Sequence, residues 1–215
     1  YTVEHLIEKL DGNGYELYDR NVYTADTDSE VTPEVKYMEG FTLPEVQTAI
    51  VNGEGTTVVR YFYKRNVHRL TLVLDNGQDD VVYDYMYGTK IDVINPERTG
   101  YTFTGWSYTN SDGKPAVADA GAVLHVDTKT TPGNTLTAQW AKLSAVGGTW
   151  TYDGQSHTVS NVSVEGVDGY TVTYKVDGDG TEYTDVTSVA ISSVGEKNVT
   201  VIARKTGYRQ LEKTV

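Results

Sequence analysis

Four histidines, thirty carboxylates and no cysteine define the chemistry open to this chain. Zero Cys excludes disulfides, thiolate–zinc sites, thiol nucleophiles and a Cys–Gln thioester. His5, His68, His125 and His157 stand alone in the sequence, none with a second His or a carboxylate at zinc-ligand spacing. A metal site or a nucleophilic triad would have to be assembled wholly by the fold, and the four read as surface or strand-edge residues. The turn DGDGTEYTD carries Asp177, Asp179, Glu182 and Asp185. It lacks the regular ligand spacing and terminal bidentate Glu of a calcium loop, and Gly-Asp-Gly suits a hairpin. The same reading covers Asp75, Asp79 and Asp80. No phosphate-binding loop, dinucleotide fingerprint, nucleophile elbow or kinase signature occurs. Paired carboxylates are plentiful in so acidic a chain, and a glycosidase reading would need two of them held at a set separation across a cleft. No metal ligand, catalytic residue or cofactor is assigned, and no ligand-binding residue is fixed.

One covalent chemistry stays open, an autocatalytic Lys–Asn isopeptide bond, in which a buried acid promotes attack by a desolvated, neutral Lys. It would supply the staple that a Cys-free protein lacks, but the sequence pairs no given Lys with a given Asn. A second question lies in YTFTGWSYT, which sets Tyr101, Phe103, Trp106 and Tyr108 among nine residues. The cluster reads first as core packing, then as a platform for a sugar or peptide, then as a contact between modules. Strict alternation puts Phe103 and Trp106 on opposite faces of a strand. A bulge or bend at Gly105 would be needed to turn both into one core.

The elements that must position these residues are strands. Leu70, Leu72 and Leu74 alternate with polar or edge residues, as do Leu136, Ala138 and Trp140, and Tyr170, Val172, Tyr174 and Val176. Period-two patterning of this kind marks half-buried strands. Asp-Gly and Asn-Gly turns separate them at Asp11–Gly14, Asn52-Gly53, Asn76-Gly77, Asp112-Gly113, Asp153-Gly154 and Asp177–Gly180. Leu43-Pro44-Glu45-Val46-Gln47 opens like a sortase signal but lacks its continuation, and reads as an internal Pro turn. TVVRYFYK closes one unit before Arg65-Asn66, and TLTAQWAK closes another at Lys142, with joints too short to give much freedom. Modules of about 70 residues bury only roughly 60% of their unfolded surface. Without disulfides they must rely on aromatic packing, and 17 Tyr answer that need.

A net charge of −12 argues against nucleic acid, because phosphate binding needs a cationic stripe and the 18 Lys and Arg are scattered. No secretion signal, long apolar span or basic amphipathic helix appears, so no membrane insertion is expected within this chain. The opening at Tyr1 and the stop at Val215 inside a strand-like run read as a piece of a longer protein.

Residues 1–66, with YTVEHLIEKLDG, GYELYDR, YMEGFTLPE and VVRYFYKRN, resemble the mucin-binding-protein repeat of Gram-positive surface proteins. Residues 67–142, with LTLVLDNGQ, YDYMYGTKI, PERTGYTFTGWSYT and LTAQWAK, resemble an internalin B-repeat, the Listeria–Bacteroides repeat. Residues 143–215, with TYDGQSHTV, YTVTYKVDGDGTEYT and VGEKNVTVIARKTGY, are similar to immunoglobulin-like repeats of bacterial surface proteins. The resemblance implies a mainly β chain of three tandem modules in an elongated rod: two β-grasp (ubiquitin-like) folds, then an immunoglobulin-like β-sandwich. It further implies an extracellular, cell-wall-attached setting with neighbouring repeats of the same parent chain, and it brings no catalytic residues. The expected role is a non-enzymatic stalk or spacer. The alternative is an adhesin in which residues 1–66 hold host mucin glycans or a host surface protein, with Tyr15, Tyr18 and Tyr23 stacking on sugar faces.

Overall fold

Alternating side chains and glycine turns produce a mainly β chain. The computed structural model describes residues 1–110, 112–119, 123–127 and 135–215, and among them the one helical element is a 3-10 turn over Val186–Val189. The strands are β1 (Thr2–Glu8), β2 (Tyr15–Val22), β3 (Glu30–Val31), β4 (Phe41–Thr42), β5 (Ala49–Ile50), β6 (Val58–Arg65), β7 (Val67–Val73), β8 (Val81–Met86) and β9 (Lys90–Ile94). There follow β10 (Thr102–Thr109), β11 (Pro115–Asp119), β12 (Val123–Asp127), β13 (Thr135–Val146), β14 (Ser160–Gly166), β15 (Thr171–Val176), β16 (Glu182–Tyr183), β17 (Val199–Arg204) and β18 (Leu211–Thr214). Two compact units result. One comprises Tyr1–Leu70, Tyr83–Ile91 and the end of β12; the other comprises Thr71–Val82, the chain from Asp92 to His125, and everything from β13 to Val215.

In the first unit a four-stranded sheet runs in the order β2-β1-β6-β4, with β1 and β6 parallel from Thr2↔Val58 to Ile7↔Tyr63. Val3, Val59, Tyr61 and Tyr63 point to one side and form its core, against which Val35, Met38, Phe41 and Ala49 pack. The chain over this core is largely irregular, so its backbone polar groups need other partners. Two tyrosines of β6 supply them. Tyr61 Oη donates to the Pro33 carbonyl at 2.5 Å, and Tyr63 Oη accepts the Lys36 amide hydrogen at 2.9 Å. On the opposite face Glu4 is buried between Arg20 and Arg60, whose Nε atoms lie 2.9 and 2.8 Å from its two oxygens.

The second unit is organised by β13, a strand of 12 residues. Its first half pairs with β10 on one side and parallel to β7 on the other, and its second half pairs with β14. Leu136, Ala138 and Trp140 are buried on one face, and Ala141 and Ala145 on the other. The strand therefore serves a core around Phe103, Trp106 and Trp140, and then one that holds Ala203, Leu211, Val199 and Val201. Residues 142 and 143, where the sequence reading sets a joint, both lie within it. A further sheet, β16-β15-β17-β18, carries the outer wall of the second core.

The register between β10 and β13 answers the question posed by YTFTGWSYT. Phe103 faces Trp140 and Trp106 faces Ala138, with a shift between Phe103 and Gly105 that inserts one extra residue. Trp140 and Ala138 share a face, so Phe103 and Trp106 now share one as well. Their ring centroids lie 5.2 Å apart, edge to face. Both rings are buried, and core packing is the reading that holds. Gly105 makes the bulge feasible, with φ at +147°, and a Cβ there would sit 2.8 Å from the Ala118 carbonyl oxygen. Gly105→Ala is expected to destabilise the second unit by about 1–3 kcal/mol, the cost of a side chain in glycine-only backbone space. Urea denaturation followed by Trp emission measures it.

Candidate functional site

The histidines do not behave alike. His5 is only 2% exposed, which corrects the surface or strand-edge expectation. Alternation along β1 points it into the core beside Val3 and Ile7, where Nδ1 lies 2.8 Å from Tyr63 Oη. It packs between the rings of Tyr61 and Tyr63 at centroid distances of 5.5 and 5.7 Å. Burial pushes its pKa down, the nearby Lys36 ammonium adds to that, and Asp19 opposes it. His68 stacks on Tyr85 at 5.9 Å. The side chain of His125 lies outside the described residues. Among the described residues no three His, Asp or Glu side chains come together to hold a metal ion.

The acidic turn is a hairpin, because β15 and β16 pair across it. Its carboxylates go to separate partners. Asp179 accepts the Thr181 amide at 2.9 Å and the Tyr183 hydroxyl at 2.6 Å, Glu182 binds Arg204 and Thr173, and Asp185 caps the 3-10 turn through the Thr187 amide at 2.9 Å. For the isopeptide chemistry, the ammonium groups of Lys36, Lys142, Lys197 and Lys205 meet Asp19, Glu165, the Ala190 carbonyl and the Asp168 carbonyl. At Lys36 the hydrogen bond with Asp19 raises the amine pKa and lowers that of the carboxyl. That pairing favours two ions, the opposite of the neutral amine and protonated acid that amide formation requires.

The three tyrosines proposed for sugar stacking are dispersed. Tyr15 meets Phe62 edge-on at 5.0 Å on the open face of the first sheet. Tyr18 is the extra residue of a bulge in β2 opposite His5 and Leu6, and Tyr23 stacks on Tyr1 at 5.5 Å.

A concave site does occur elsewhere, in the second unit. It is a hollow of about 570 Å³, formed where the chain leaves β13 through Thr149–Asp153 and lies beside the loop Ile191–Asn198. Trp150 stacks flat on His157, with centroids 4.7 Å apart and planes 14° from parallel. His157 is held in turn: its backbone bridges Ile191 in both directions, and Nε2 lies 3.0 Å from Asp153 Oδ1. The same oxygen accepts the Gln155 amide at 2.9 Å, and this bond first, then His157, keeps the Asp153 carboxyl below the ordinary carboxylate range. Sequence reading missed the site, although TWTYDGQSH contains it. The signal available was an aromatic pair, Trp150 and Tyr152, next to an Asx turn rather than within a strand pattern.

His5 generates a pH dependence. Its folded-state pKa lies below the unfolded value near 6.5, so the unfolded chain binds the proton first as pH falls. Stability of the first unit is expected to be level above about pH 6.5 and to decline below it, in a window still above most carboxylate titrations. Thermal melts between pH 7.5 and 5 test this, and His5→Gln should flatten the slope while retaining a hydrogen-bonding side chain for Tyr63. No family model, curated protein or solved structure matches the chain, so what these sites can do rests on their geometry.

Proposed function

We propose that the chain is a non-enzymatic spacer segment of an extracellular, cell-wall-associated bacterial surface protein. In this reading three modules, 1–66, 67–142 and 143–215, follow one another in a row, two of β-grasp type and the last an immunoglobulin-like sandwich. The observation that carries it is the fixed turn at Arg65-Asn66, where the chain passes from β6 into β7 within the first compact unit. A spacer must transmit position along its length, and a single residue between β6 and β7 does so only if it is held. Asn66 is bonded on three sides: its amide to the Gly40 carbonyl at 2.8 Å, its carbonyl to the Tyr87 amide at 2.9 Å, and Oδ1 to the Thr42 hydroxyl at 2.9 Å. Arg65 adds donations to the Glu8 and Tyr87 carbonyls at 2.6 and 2.9 Å, and its guanidinium lies 4.9 Å over the Phe41 ring. Gly40 lets Tyr87 come this close, since a Cβ there would fall 2.1 Å from the ring. The parallel pairing of β1 with β6 supports the same role. Tension along those two strands loads their hydrogen bonds together rather than one by one.

A second reading, an adhesin held by residues 1–66, is favoured by the open face of the first sheet. Leu17 and Phe62 stand half-exposed there beside Tyr15, at the edge of the Arg20–Glu4–Arg60 network. Screening the full chain against mucin glycans and host surface proteins separates the two, because a spacer gives no signal while an adhesin gives one that Phe62→Ser removes.

Small-angle scattering tests the spacer directly. Three modules with strands of about eight residues, set in line, predict a particle on the order of 100 Å long. Arg65→Ala should broaden its distance distribution without unfolding it. A compact particle would overturn the reading.

A further inference from the structure

The geometry points to the Trp150 hollow as a binding site for a neutral glycan bearing an N-acetylhexosamine. Three observations converge on that chemistry. The first is the platform. Trp150 is 44% exposed although one side is stacked on His157. The stack and the Asp153–His157 bond hold the indole in place before a ligand arrives, which lowers the ordering cost of binding. A preorganised indole surface suits the C–H face of a pyranose ring.

The second is the rim. Thr149, Thr151, Gln155, Ser192, Ser193 and Asn198 line the hollow with neutral hydrogen-bonding groups; of the charged residues that also line it, Asp153 is bonded to His157 and Lys197 to the Ala190 carbonyl, and Glu196 lies on the exposed loop. A volume of about 570 Å³ falls in the range of small-ligand clefts, roughly 300–1,000 Å³. Many neutral donors and acceptors around one ring match a polyhydroxylated ligand. A quaternary ammonium would instead need several aromatic faces turned towards one point. Here His157 already covers one side of Trp150, and Tyr152 is mostly exposed.

The third is a side pocket. A hollow of about 70 Å³ adjoins the first and shares Trp150, His157, Ile191, Lys197 and Val215 with it. Its deep walls are Val159, Val189 and Val199, all buried core residues. At about 30 Å³ per water it holds some two waters' worth of space. Thr158, His157 and Lys197 also line it but are already bonded to the Val186 carbonyl, Asp153 and the Ala190 carbonyl, so the pocket favours the methyl of an acetamido group over a bare hydroxyl. The site lies in residues 143–215, not in 1–66 where the adhesin reading places its grip, and it stands whether or not the chain is a spacer.

The three tryptophans make the test direct, since Trp106 and Trp140 are 0% and 4% exposed and only Trp150 is accessible to a quencher. The full chain is titrated with N,N′-diacetylchitobiose, methyl N-acetyl-α-galactosaminide, cellobiose and choline, followed by acrylamide quenching and by calorimetry. At least one N-acetylated sugar should shield Trp150 saturably with a Kd below about 10 mM. Cellobiose, which lacks the acetamido group, should bind about tenfold more weakly or worse. Trp150→Ala should abolish the calorimetric signal while the emission of the two buried tryptophans is unchanged. Trp150→Phe, which keeps a ring on His157, should retain binding to within about tenfold. The proposal is overturned if neither N-acetylated sugar protects Trp150, if Trp150→Ala binds as well as the parent chain, if cellobiose binds equally, or if choline alone protects.

Discussion

The core of the first unit and the core around Trp140 are closed by aromatic rings whose polar ends bond to the backbone of the chain lying over them. Tyr61 reaches the Pro33 carbonyl, Tyr63 takes the Lys36 amide, and Trp140 Nε1 donates to the Leu74 carbonyl at 2.9 Å. The constraint is physical. A single sheet without a helix layer or a disulfide must cover its apolar face with irregular chain, and that chain brings unpaired amides and carbonyls with it. An aliphatic core would leave them unbonded, at a cost of about 1–3 kcal/mol each. A ring with a donor or acceptor at its tip both buries a large apolar area and satisfies one such group. Tyr61 and Tyr63 meet this requirement in the first unit, whereas Tyr18, Tyr37 and Tyr152 stand exposed outside the cores.

Charge acts locally in the same framework. The chain carries −12 overall, yet the carboxylates with depressed pKa values are those taken up by specific partners, as at Glu4 with Arg20 and Arg60, Asp84 with Arg69, and Glu182 with Arg204. The Glu4 and Asp84 pairs join neighbouring strands of one sheet, where opposite charges across a register add to pairing, and Glu182 reaches Arg204 across the intervening β15. Glu4 and His5 are adjacent on β1 and face opposite sides: one is buried among guanidinium groups, the other among tyrosines. The net excess of acid contributes mutual repulsion between copies of the chain.

Aromatic residues therefore play two roles that composition does not separate. Phe103, Trp106 and Trp140 are structural, packed edge to face around the bulge at Gly105. Trp150 is the same residue type placed outside a strand, beyond the end of β13 and just before the Asx turn at Asp153, and its ring borders an open hollow. What distinguishes them is whether the backbone alternates beneath the ring.

Alternation and turn chemistry along the chain determined much of this by themselves. The strands at Val67–Val73 and Thr171–Val176, the part of β13 up to Lys142, the hairpin at Asp177–Gly180 and the need for a bulge at Gly105 if Phe103 and Trp106 share a core all follow from nearest-neighbour sterics, which a sequence carries in full. Tertiary structure alone decided where side chains distant in sequence meet. It buried His5 against a tyrosine 58 residues away, drew Tyr87 onto Gly40, and carried β13 past Lys142 so that one strand lines two cores. It also laid Trp150 on His157 beside the loop from Ile191. Such meetings depend on register and chain crossing, which are set by the total burial of a sheet rather than by any short segment, and so no local pattern records them.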